Sequence, residues 1–142
     1  MLQTTELLNH IHQNADMGRD SLKHIMELSQ NADFSDAVSG QLQEYENAYQ
    51  TSGRMLKDMH AEIEEARPMS KAMANMVSRM KSMADPSTSK LAEMVIEGST
   101  MGITKLTKQL HDYAGDDREV MDFAEKQIEI EQKNIETMKA FL

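Results

Sequence analysis

Apolar residues recur at steps of three and four through four long stretches of this chain. A chain patterned in this way hides its apolar face by packing helix on helix. The first stretch, about residues 4–29, carries Leu8, Ile11, Ala15, Gly18, Leu22 and Ile25 on one seam. The second, about 36–65, aligns Val38, Leu42, Tyr45, Tyr49, Ser52, Leu56, Met59 and Ile63. The third, about 88–112, has Ala92, Ile96, Ser99, Ile103, Leu106, Leu110 and Tyr113, with a second row of Leu91, Val95, Gly98 and Gly102. The fourth, about 117–141, reads Val120, Ala124, Ile128, Glu131, Ile135, Met138 and Leu142. The β-branched runs that a sheet requires are missing. Polar residues able to cap a helix precede each stretch: Thr4 or Thr5, Asp33 or Ser35, Asp85 or Ser87, and Asp117 after Gly115.

Between the second and third stretches lies a fifth, shorter helical segment, about residues 68–83, opened by Pro68. Its seam is all thioether: Met69, Met73, Met76, Met80 and Met83. Methionine side chains repack easily and suit surfaces that accept more than one partner. Three readings fit the stripe: packing inside the molecule, a seam for a partner helix or a second copy, and a soft-metal site for Cu(I). The links joining the first pair and the last pair of long helices are short, so each pair is expected to be an antiparallel hairpin. The segment 67–87 is too long for a hairpin turn and is expected to cross the bundle, leaving the second and third long helices parallel.

Composition removes several functions. The chain has no cysteine, which excludes disulfides, thiolate metal sites and cysteine nucleophiles. Its net charge is −9 and no cluster of Lys or Arg overrides that mean, so nucleic acid and anionic membranes are not expected partners. No apolar run is long enough to span a bilayer, and the first residues lack the basic and apolar regions of a signal peptide. A cytoplasmic location is expected. No glycine elbow surrounds a serine and no phosphate-cradling loop is present, so nothing argues for an enzyme or a cofactor.

With its four long helices, the glycines of Asp16-Met17-Gly18 and Glu97-Gly98, and the close-packing pair Gly98 and Gly102, the chain resembles the ferritin-like superfamily, especially its small bacterial members of unassigned function. That resemblance implies an all-α, ferritin-like four-helix bundle, two antiparallel hairpins joined by a crossover that contains the methionine helix. Di-iron members of the superfamily use Glu residues and Glu-x-x-His pairs on facing helices. Here the nearest strings, beginning at Glu44 and Glu129, lack the histidine, and Glu44 falls off its seam and is expected to face water. The five histidines also fall off the seams, so no metal site is expected.

Glu131 is the one carboxylate on a central seam. A buried carboxyl needs hydrogen bonds or a proton, and Tyr45, Tyr49, Ser52 and Asn14 are expected at its level. These residues are read as a buried polar layer that fixes helix register. The expected role is a non-catalytic assembly or protein-interaction module that pairs with itself or with another helix. The alternative is a metal-handling protein using a variant site near Glu131 or the methionine stripe.

Overall fold

Five α-helices make up the described residues of this computed structural model, which are 1–64 and 71–142, the side chains of Ala72 and Met73 excepted. They are α1 (Thr4–Leu28), α2 (Ala32–Asp58), α3 (Lys71–Ser82), α4 (Thr88–Asp112) and α5 (Arg118–Lys139). The start of α1 is set one residue earlier than expected: Gln3 is the N-cap, and its backbone N–H donates to Glu6 Oε2 at 3.0 Å. Ser87 and Asp117 cap α4 and α5, accepting from the N–H groups of Lys90 and Val120 at 3.1 and 3.2 Å.

The bounds of α2 differ from the sequence expectation at both ends. Its N-cap is Asn31, whose side chain accepts from the Phe34 N–H at 2.9 Å. The helix therefore begins early enough to bury Phe34 completely. It ends at Asp58, because His60 takes a positive φ of 54° that no helix continues. The chain beyond is held by Asn9, which donates to the Glu62 carbonyl at 3.1 Å and accepts from the Glu64 N–H at 2.9 Å. Ile63, expected on the seam, is consequently 50% exposed.

Two apolar clusters show how the helices run. At one end, Leu22 and Ile25 of α1, Phe34 and Val38 of α2, Leu91 and Val95 of α4, and Met138 of α5 pack together. At the other end are Leu7 and Leu8 of α1, Met55 and Leu56 of α2, Leu106 of α4, and Val120 and Ala124 of α5. Hence α1 with α2, and α4 with α5, form antiparallel pairs. Across the pairs, α1 packs on α4 and α2 on α5. Helices α2 and α4 run in the same direction, and the connection between them leaves one end of the bundle and arrives at the other. A backbone bridge from Leu2 to Tyr113 closes one end, and a Gln30–Asp85 hydrogen bond of 3.2 Å ties the turns at the other.

Within that connection, α3 packs on the bundle. Met76 and Met80 are 5% and 3% exposed and join the cluster of Leu22, Ile25, Met94 and Val95. Arg79 pairs with Glu97 of α4. Met83 is half-buried against the same cluster. Met69 and the Met73 side chain lie outside the described residues.

Candidate functional site

The middle of the bundle carries a polar layer. Glu131 of α5 is 5% exposed, and its Oε2 has no hydrogen-bond partner. Its polar neighbours are Tyr45 of α2 and Ser99 of α4. Burial raises the Glu131 pKa above the usual carboxylate value; the two hydroxyls oppose that shift and the Glu44 charge adds to it. Burial, followed by the nearby Glu131 charge, likewise pushes the Tyr45 phenol well above its ordinary range.

The layer extends toward the face between α2 and α5. Asn134 lies one turn from Glu131 and Gln41 one turn from Glu44; both are buried. Gln41 Nε2 and Oε1, Asn134 Nδ2 and Glu44 Oε2 lack hydrogen-bond partners. Glu44 is half-buried rather than facing water as expected, because Asn134 and Glu131 sit beside it on α5. Burial raises its carboxyl pKa. Gln41 and Asn134 were outside the expected layer: Gln41 precedes the Leu42 seam and Asn134 precedes Ile135, so each reads as an edge residue.

Tyr49 and Ser52 are placed elsewhere. Both turn toward α1, where Ser52 lies 2.9 Å from His12 Nδ1. The Tyr49 carbonyl lies 3.0 Å from the same nitrogen, and the Tyr49 ring stacks on the imidazole at 4.1 Å. Arg19 covers the other side of the tyrosine ring at 3.7 Å and pairs with Asp16 and Glu46. The α1–α2 pair is close enough for that face to be interior, so it claims both residues. His12, off its seam by register, is buried there, and burial lowers its pKa.

Asn14 remains with Glu131 and Tyr45. The three line a pocket of about 20 Å³, together with Gly102, Lys105 and Gln127. That is room for roughly one water molecule. Gly18 and Gly102 make the approach feasible: a Cβ on Gly18 would sit 2.8 Å from Tyr45 Cε1, and one on Gly102 would sit 3.8 Å from the Glu131 carboxyl carbon.

A larger groove adjoins this pocket and runs between α1 and α4, with a volume of about 680 Å³. Met17, Leu22 and Ile25 form one wall, Met94, Val95 and Met101 the other, and Met76 and Met80 of α3 close one end. Tyr45 forms part of the floor. At the opposite end are His10, Lys105 and Lys108.

No family model, curated protein or solved structure matches the chain.

The donors in the polar layer are carboxyl, amide and hydroxyl groups. Among the described residues, no group of three or more His, Cys, Asp or Glu is placed to hold a metal ion. No described helix is long and apolar enough to cross a membrane. The arrangement offers a preformed apolar groove with a polar floor, suited to holding a ligand by burial.

Proposed function

We propose that this chain is a ferritin-like helical bundle that acts as a non-catalytic interaction module, with the groove between α1 and α4 as its binding surface. The ferritin-like reading is supported by two antiparallel hairpins whose long connection leaves α2 and α4 codirectional, as one crossover in a four-helix bundle requires. The observation that carries the binding reading is the 680 Å³ groove, walled by methionine and aliphatic side chains. Methionine walls adapt to different shapes, as binding surfaces need. The stripe on α3 enters this reading as a closing wall, since Met76 and Met80 are turned inward.

The test uses Nile red, a neutral dye that fluoresces in apolar surroundings. The wild-type chain is expected to bind it at micromolar concentration. Met101→Asp, which places a charge on the groove wall, is expected to abolish binding while helicity by circular dichroism is retained. A folded wild-type chain that leaves the dye dark would remove the groove as a binding surface.

A further inference from the structure

The two ends of the groove differ in chemistry. The end under α3 is apolar, closed by Met76, Met80 and Met94. The other end presents Lys105 and Lys108, both exposed. Neither lysine forms an ion pair among the described residues, where Arg19, Lys23, Arg79, Lys90 and Lys139 each form one. The chain holds 24 acidic residues against 15 basic ones, yet no described Asp or Glu lines the groove. Glu131 lines the adjoining side pocket with Tyr45, Asn14 and Lys105, and its carboxyl lies beside Gly102. From Met94 to Lys108 the groove follows α4 for about 21 Å at 1.5 Å per residue.

Volume decides what fits. A helix with its side chains is about 10–12 Å across, and α1 and α4 are in contact, so a helix could enter between them only by parting them. A volume of about 680 Å³ lies within the range of small-molecule sites, roughly 300–1,000 Å³.

We propose that the groove binds a free single-chain amphiphile with an anionic head, its tail running toward Met80 and Met94 and its head between Lys105 and Lys108. This assignment rests on the groove being the binding surface and adds the chemistry of its occupant. The tail gains by leaving water for a wall of thioethers and aliphatic groups. The head meets the two cations in a chain whose overall charge of −9 otherwise repels anions.

Dodecanoate and the neutral dodecanol serve as probes, with binding read by calorimetry below the concentration at which either self-associates. Dodecanoate is expected to bind once per chain and to displace Nile red. Lys105→Gln with Lys108→Gln is expected to weaken dodecanoate roughly tenfold, as loss of two exposed charge contacts implies, and to weaken Nile red and dodecanol far less. Equal binding of dodecanol and dodecanoate, or an unaltered double variant, would overturn the anionic head while leaving the groove intact if Nile red still binds. Binding of phosphatidylglycerol vesicles without binding of dodecanoate would also overturn it, in favour of a membrane surface. Loss of Nile red binding in the wild type strikes the groove itself, and calorimetry with dodecanoate still reports on the amphiphile independently of the dye.

Discussion

Gly18→Ala tests a close approach between α1 and the Tyr45 ring of α2. The added methyl would lie 2.8 Å from Tyr45 Cε1 and 2.9 Å from Cδ1 and Cζ. These are atoms of a ring, not the tip of a flexible chain, and the phenol is held between Glu131 and Ser99. Replacing a helical glycine with alanine ordinarily gains about 0.5–1 kcal/mol. Overpacking costs about 1–3 kcal/mol. Gly40 supplies the control, because it is in mid-helix and a methyl there meets nothing within 4 Å. Subtracting the Gly40→Ala result from the Gly18→Ala result cancels the helical gain and leaves the clash, about 1–3 kcal/mol. Gly102→Ala, whose nearest neighbours are at 3.7 to 3.9 Å, should follow Gly40. Urea unfolding with an unchanged m value reads all three. Tyr45→Leu in the Gly18→Ala background should erase the clash term, since it removes the ring atoms involved. If Gly18→Ala and Gly40→Ala are equally stable, the ring does not lie against α1 as described, and the groove floor is misplaced.

Two further perturbations probe the layer and the crossover helix. Glu131 has a folded pKa raised above the ordinary carboxylate value, chiefly by burial, so the folded state holds its proton more tightly than the unfolded state. Its contribution to stability is greatest below about pH 4.5 and declines as pH rises through the folded pKa. Glu131→Gln should flatten that decline in urea midpoints measured from pH 4 to 8; a profile identical to wild type would mean the carboxyl is solvated. Met80→Ala should cost about 2–5 kcal/mol if α3 unfolds with the bundle. If α3 opens alone, the same change should speed amide exchange within Lys71–Ser82 and leave α2 protected. Unaltered stability and exchange would place Met80 outside the core.

The helices could be read from spacing because each buries one face, and a 3.6-residue period records a face directly. Their ends were harder to read, since a cap depends on one hydrogen bond. Asn31 captures α2 because its oxygen reaches the Phe34 N–H, and Asp33 or Ser35 offered the same chemistry on paper. The path of the chain beyond Asp58 depends on Asn9, which is distant in sequence and donates across to Glu62. A seam drawn on one helix does not know which neighbour will claim it. That limit explains Tyr49 and Ser52, which share the Tyr45 register but face α1 and His12.

The same limit explains why the polar layer is broader than the single carboxylate visible on a seam. Gln41, Glu44 and Asn134 sit at seam edges, where a residue is buried or solvated according to how closely two helices approach. Here α2 and α5 approach closely enough to bury polar atoms that lack partners. Each such buried group costs free energy unless it is satisfied, at about 1–3 kcal/mol. An apolar set at these positions would avoid that cost but would also permit α5 to slide by a turn against α2. With Glu131 between Tyr45 and Ser99, a one-turn slip one way replaces the carboxyl with Ile135 and strands both hydroxyls, and the other way replaces it with Gln127, whose amide must satisfy them instead. Such a layer would trade stability for register, and register would hold Tyr45 at the floor of the groove.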